Sequence, residues 1–368
     1  MPVMTIACER CDELRARFEH SGDLVVLGCD PDPSNPGLCR LRYERHAATL
    51  PPAGAAATLT PTQKRTAQAI VNLFETGAVL GDYGRVTVLP GDTGRLTYGR
   101  SQTSLTSGNL LQLLQRYCAN PGAQLSTRLQ PWLAPVQAQD ERVDHDERLH
   151  NLLRACADDV VMRDTQDSFF DDTYWQPALK AARALGLHSA LAVAVVYDSH
   201  VHGSWARIKA ATRQAAGEPA AAGEQAWITA YVDTRRQWLA THANPLLRKT
   251  AYRMDAFRRL IDQGLWGLPL PLVVRDQEIS LVSLSALPPG CHDGPQPGSR
   301  TLSLSQPLQR GLDVRRLQLG LSERGMDIKA DGVFGPTSRN RLAEYQIAHG
   351  LPATGVATPE LVVQLAAQ

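Results

Sequence analysis

Two carboxyl groups stand in this chain where a glycosidic bond could be cut. Glu75 closes an amphipathic run in which Ala67, Ile70, Val71 and Phe74 recur at helical spacing. Asp92 sits in the Pro-Gly-Asp-Thr-Gly turn 90–94, between the strand-like segments 85–88 and 95–98. Glycoside hydrolysis needs such a pair. One carboxylic acid protonates the leaving oxygen, and the other activates water or attacks the oxocarbenium-like centre. Taken alone, Glu75 is an ordinary helix-end carboxylate and Asp92 an ordinary turn-former. Their conjunction, with the motifs downstream, makes them candidates for general acid and base.

The elements that must position this pair can be traced outward from it. Thr60 is a plausible N-cap with Pro61 at the first helical position, and Gly77 stops the helix just after Glu75. Val71 and Phe74 would raise the Glu75 pKa by desolvation, whereas a nearby arginine would lower it. Asp92, on a polar turn, should stay ionised. Helical patterns dominate from 108 to 264: 109–118, a long candidate 149–170, 174–184, the buried run 190–197, 225–240 and 244–263. A mostly helical domain with one small hairpin is therefore expected over 59–287. Residues 1–50 form a small Cys-containing N-terminal unit, and 51–58 a low-complexity linker. The Pro- and Gly-rich stretch 288–299 reads as a second linker. The last domain, 302–368, pairs helix 314–321 with an Asp-Gly-Val-Phe-Gly turn and helix 338–349, and predicts a compact three-helix module.

Net charge is +1, with 43% hydrophobic and 20% charged residues, so nothing in the balance points to nucleic acid. No apolar run is long enough for a membrane span. The N-terminus lacks the basic segment and apolar core of a Sec-type signal peptide. An enzyme of the cell wall would then leave by lysis or a dedicated secretion machine, or come from a phage. Of seven cysteines, Cys8, Cys11, Cys29 and Cys39 cluster near the N-terminus. Cys8 and Cys11 have the spacing of half a zinc site, but Cys29 and Cys39 are too far apart for the usual second half. Zinc, two disulfides and free thiols all remain open. His200 and His202 splay on a helix and read as packing or hydrogen-bonding groups. The acidic stretch 140–147 reads as a solvated face. No cofactor is expected.

The C-terminal pattern V-x-x-L-Q at 314–318, D-G-x-F-G at 331–335 and Y-Q-x-x-x-G-L at 345–351 resembles the common three-helix peptidoglycan-binding module, which implies binding to wall glycan or its stem peptides. The central region resembles glycoside hydrolase family 46, the chitosanases of the lysozyme superfamily. Four pieces match in order: the helix ending in Glu75, G-D-x-G-R-x-T at 91–97, A-L-G with Y-D-x-x-x-H-G at 184–186 and 197–203, and Y-V-D-T-R at 231–235. The resemblance implies a mainly α (α+β) fold, a lysozyme-like two-lobed helical domain with a small β-hairpin. It implies Glu75 as general acid, Asp92 as general base in an inverting reaction, and Thr97 helping to hold the attacking water. Asp198, Arg235 and Arg248 would form a buried charge network behind Glu75. Tyr98, Ser101, Gln102 and Thr103, which follow the hairpin, would line the substrate cleft together with Arg95.

One position departs from the family. Chitosanases carry an acid just past the hairpin to grip the glucosamine ammonium, and a gap-free register puts Asn109 there. A neutral amide still hydrogen-bonds an acetamido group or hydroxyl. With the C-terminal module, this favours peptidoglycan glycan strands as substrate, and a muramidase acting in the bacterial periplasm or wall, as an exported antibacterial effector or lytic enzyme. A secretion-system component and an immunity protein are the further partners such an effector implies. The alternatives are a true chitosanase and a non-catalytic wall-binding protein.

Overall fold

The computed structural model describes residues 3–8, 11–12, 15, 24–33, 37–45, 59–89, 94–100 and 102–367. Along the chain, β1 (Val3–Ala7), β2 (Leu24–Pro31) and β3 (Leu38–Arg45) precede α1 (Pro61–Thr76). The short strands β4 (Val86–Thr87), β5 (Thr97–Tyr98) and β6 (Thr103–Ser104) follow, then α2 (Asn109–Cys118), α3 (Glu147–Cys156), α4 (Val160–Phe170), α5 (Gln176–Arg183), α6 (Ala190–Val201), α7 (Trp205–Ala216), α8 (Glu224–Ala240) and α9 (Tyr252–Asp262). The chain ends in α10 (Leu312–Glu323), α11 (Pro336–Ala348) and α12 (Pro359–Ala366). The fold is mainly α with small sheets, as expected. It gathers into two compact units, neither continuous in sequence: 1–80 with 173–286, and 81–172 with 287–368.

In the first unit, β1, β3 and β2 form an antiparallel sheet in that order. Cys8 is bonded to Cys39 and Cys11 to Cys29. All four sulfurs are paired here, which is the disulfide alternative; zinc would need them as free thiolates. The helical core is built on α6, an almost wholly apolar helix capped by Ser189 and buried from Ala190 to Ser199. Helix α1 packs on it. Thr60 and Gln63 close a reciprocal capping box at the α1 N-terminus, and Gly77, in the left-handed region, ends the helix.

In the second unit, β4, β5 and β6 make a three-stranded antiparallel sheet in chain order. Tyr98, Leu110, Leu114, Leu149, Leu153 and Met162 share one core. The expected long helix 149–170 is two helices, because Asp159 caps α4 through Val161 N–H and also accepts from Tyr117 Oη and Gln124 N–H.

The segment 288–299 does not behave as a linker. His292 N–H donates to Asp158 Oδ1 at 2.8 Å, and Gly294 and Pro295 carbonyls accept from Leu312 and Asp313 at the start of α10. A Cβ on Gly332 (φ 76°) would lie 2.2 Å from the His292 ring, so only glycine fits that turn. The C-terminal helices have a core of their own, with Val314, Leu317, Phe334, Leu342 and Leu365, and are also joined to the rest of this unit. Leu319 of α10 belongs to the core that holds Tyr98. Fully buried Asn151 of α3 donates to Ser322 Oγ (2.9 Å) and Ile328 O (2.7 Å), while its Oδ1 accepts from Ala330 N–H (2.8 Å) and Arg154 (2.8 Å). Every polar atom of that buried amide has a partner, as burial demands.

Candidate active site

Glu75 occupies the penultimate position of α1. The last carbonyls of this helix lack helical partners and need others. Leu73 O accepts from Arg275 Nη1 (2.7 Å) and Gly77 N–H, and Phe74 O accepts from Tyr252 Oη (2.8 Å). The Phe74 ring packs edge-on against Tyr252 and Phe257. The backbone beneath Glu75 is therefore fixed, while its side chain stays half-exposed at 45%.

A charge chain runs behind it. Arg253, 1% exposed, donates from Nη1 to Glu75 Oε1 at 2.9 Å, and its Nη2 contacts the same oxygen. The guanidinium also lies 5.2 Å from the Phe74 ring centroid, and its Nε is 3.4 Å from Asp198 Oδ1. Asp198, wholly buried, accepts from Arg235 Nη1 at 2.6 Å. Arg235 also donates to Ser199 Oγ (2.9 Å) and to His202 Nδ1 (3.2 Å). Burial, with the adjacent guanidiniums of Arg253 and Arg235, pushes His202 down to about 4, so the ring is neutral and accepts.

Two carboxyls and two guanidiniums balance, and burial then decides. Desolvation raises the Glu75 pKa, Arg253 pulls it down, and Asp198 pushes it up again; the outcome is raised. A helix C-terminus adds to this, since the negative end of the dipole disfavours a carboxylate. Glu75 is thus biased toward the form that can donate a proton.

Arg248 is not part of this chain. Its Nη1 donates to the His242 and Ala243 carbonyls, and the side chain sits at the surface. The expected helix 244–263 is broken: a short turn of helix, Pro245–Arg248, is followed by hydrogen-bonded turns at 249–251 before α9. The break resets the helical phase and turns Arg253 inward. Arg253 is the network member missed by sequence, and His202, read there as a packing or hydrogen-bonding group, is one that hydrogen-bonds Arg235. His202 lies within the Y-D-x-x-x-H-G match, which was the available signal for it.

On the hairpin side, Asp92 and Ser101 lie outside the described residues. Thr97 is 8% exposed, and its hydroxyl meets Gln102 Oε1 (3.0 Å) and Thr87 O (3.2 Å). Gln102 Nε2 in turn donates to Gly99 O, which fixes its Oε1 toward Thr97. The Thr97 proton is therefore committed, and toward water this oxygen acts as an acceptor. Gln102 positions Thr97. Arg95 is spent elsewhere, on Asp144 Oδ2 (2.7 Å) and the carbonyls of Gln139 and Asp140. It ties the hairpin to the acidic stretch, which is structural there instead of merely solvated. Tyr98 is fully buried, with Oη donating to Leu153 O at 2.8 Å. Tyr98 is core and lines no cleft, and Arg95 directs three of its five N–H groups at Asp144, Gln139 and Asp140. Asn109 opens α2 after left-handed Gly108, partly buried.

Residues 69–272 match the model of glycosyl hydrolase family 46, and residues 310–365 match that of a peptidoglycan binding domain. A chitosanase of Bacillus subtilis (strain 168) is 30% identical over 238 residues, which is 61% of this chain and 85% of that protein. The solved native chitosanase from Bacillus subtilis MY002 has 29% sequence identity, with 59% of this chain and 96% of that chain covered and a TM-score of 0.48. The Gynuella sunshinyii chitosanase in complex with chitotetraose has 26% identity, with 60% and 98% covered and a TM-score of 0.48.

Proposed function

Because this chain belongs to glycosyl hydrolase family 46, we propose that it cleaves the β-1,4-linked glycan backbone of peptidoglycan, with Glu75 as general acid and Asp92 as general base. The observation that carries the acid assignment is the setting of Glu75 at the end of α1 against Arg253, where desolvation shifts its carboxyl toward the protonated form. Arg253 stabilises the carboxylate left after that proton departs. Asp92 takes a proton from water, and Thr97, as acceptor, orients that water for attack from the opposite face. The reaction inverts the anomeric centre if the two carboxyls stand roughly 6.5–9.5 Å apart.

Two features support peptidoglycan as substrate. Asn109 stands where the gap-free register calls for an acid, and an amide offers no charge to a glucosamine ammonium. The C-terminal helices match a peptidoglycan binding domain. Two disulfides suit an oxidising compartment such as periplasm or wall, reached by lysis or a dedicated secretion machine in an exported antibacterial effector or lytic enzyme. The second reading is a chitosanase, and the names of the relatives favour it.

One experiment separates these. Wild type, Glu75→Gln and Asn109→Asp are assayed on purified peptidoglycan and on a glucosamine polymer, with the reducing ends of the products identified by mass. The peptidoglycan reading expects wall fragments from wild type, a loss of at least about 100-fold in Glu75→Gln, and gain on the glucosamine polymer in Asn109→Asp. Wild type that cuts only the glucosamine polymer is a chitosanase. Unimpaired Glu75→Gln means that the acid is another residue.

A further inference from the structure

In the first unit, a hairpin that follows α9 carries a strained residue at its tip. Its strands β7 (Leu272–Val274) and β8 (Gln277–Ile279) pair antiparallel with Val274 opposite Gln277, so Arg275 and Asp276 alone make the turn. Both stand in the left-handed region, at φ 51° and 61°. Two-residue turns of this kind favour Asn-Gly or Asp-Gly, because a Cβ crowds its own backbone there. Aspartate tolerates the conformation. Arginine gains nothing from it locally, and a strained residue persists only where surrounding contacts hold it. The contacts of Arg275 lie at the end of α1.

Arg275 is exposed, yet its guanidinium is engaged on two sides. Nη1 donates to Leu73 O at 2.7 Å, and the group lies 4.6 Å from the centroid of the Tyr252 ring. Tyr252 Oη donates to Phe74 O at 2.8 Å, and the two rings meet edge-on at 5.9 Å. The next residue of α9 is Arg253, which holds the Glu75 carboxyl. Three consecutive residues of α1 are therefore held by three side chains: Leu73 by Arg275, Phe74 by Tyr252 and Glu75 by Arg253. The last turn of a helix frays because its carbonyls lack partners. Here a cation and a phenol supply them, and the cation also offsets the negative end of the helix dipole. Residue 275 lies past 272, where the family match ends, so membership of the family assigns it no part.

We propose that Arg275 is a positioning residue for Glu75: it fixes the last turn of α1 and the ring of Tyr252, so that the carboxyl stays against Arg253 in the place from which it protonates the leaving oxygen. The proposal rests on the reading of Glu75 as general acid. Arg275 acts through the backbone and never touches the substrate. Misplacing a reacting group by about 1 Å costs on the order of 100-fold in rate, and a frayed last turn permits a displacement of that size. Fraying also returns Glu75 to water. Burial is the largest influence on its pKa and raises it against the pull of Arg253, so release lowers that pKa toward the ordinary carboxyl range. Removing Arg253 alone has the opposite sign, because it takes away only the lowering influence.

The test compares Arg275→Gly, Arg275→Lys and Glu75→Gln with wild type, as full chains, on whichever of peptidoglycan and a glucosamine polymer the wild type cuts. Glycine removes the guanidinium and is at ease at φ 51°, so circular dichroism and thermal melting should stay close to wild type. In Arg275→Gly, kcat should fall at least about tenfold with little change in KM, and the alkaline limb of the kcat profile should move to lower pH. Arg275→Lys, which keeps a cation able to reach Leu73 O, should regain part of the rate. A carbon-13 NMR titration of the Glu75 carboxyl, assigned by its absence in Glu75→Gln, should show the same downward move without any substrate. Unchanged kcat and unchanged Glu75 titration in Arg275→Gly overturn the proposal. A rate loss that leaves the titration where it was overturns it too, since Arg275 would then serve the fold alone. Unimpaired Glu75→Gln refutes the acid reading and the positioning with it, whereas inactive Glu75→Gln beside unchanged Arg275→Gly refutes the positioning alone.

Discussion

The Glu75–Arg253 contact sets two opposing demands on one guanidinium. In the proposed reaction it must lie close enough to receive the carboxylate after proton transfer, yet its charge favours ionisation beforehand. Desolvation wins that contest, and the sign of a substitution follows. Arg253→Met removes the cation, so the Glu75 pKa rises further and the acid stays protonated to higher pH. The alkaline limb of the kcat profile should move upward, while kcat at its optimum falls because the product carboxylate has lost its partner. A kcat loss without any movement of that limb would show that Arg253 only packs. Arg253 was not legible in the sequence. Glu75 was, since Thr60, Pro61 and Gly77 mark both ends of its helix, whereas nothing in 249–251 signals the break that turns Arg253 inward.

At the scale of elements, legibility followed local chemistry and failed where a partner from elsewhere decides. Helix α1, the buried α6 and the hairpin strands were readable from caps, apolar runs and turn residues. Tyr98 and Arg95 were hard to place because a two-residue strand gives no alternation to read, so only the packing of α3 and the 3-10 turn 141–144 reveals that one is core and the other tied to Asp144. The segment 288–299 was misjudged because its Pro and Gly content is equally that of a mobile tether and of a strap held by carbonyls. The contact of α3 with α10 yields a quantitative expectation. Asn151→Ala leaves the buried Ala330 N–H and Ile328 C=O without partners, at about 1–3 kcal/mol each. Leu319→Ala should cost about 2–5 kcal/mol through its cavity. Both should lower the stability of the hairpin and of the C-terminal helices together in one transition, measured by denaturant unfolding followed by near-ultraviolet circular dichroism. Two separate transitions, with the hairpin side unaffected, would contradict the shared core.

For the molecule as a whole, the same junction makes stability depend on pH. Burial pushes Asp158 up to about 6 against the pull of Arg315, Arg316, Arg163 and the His292 N–H. Its folded pKa lies above its unfolded value, so its favourable contribution is complete below about pH 4 and is lost as pH rises through about 6. His292, whose pKa burial lowers, acts in the opposite sense and loses stability on acidification. The difference between wild type and Asp158→Asn isolates the carboxyl. From pH 4.5 to 7.5 wild type should lose stability relative to that variant, and parallel curves would assign the effect elsewhere. The union of hairpin and C-terminal helices also bears on where the chain can be cut. Removing everything after 301 uncovers the Asn151 amide and the side of the core that Leu319 fills. Helix 147–156 therefore relies on helix 312–323, although more than 150 residues separate them along the chain.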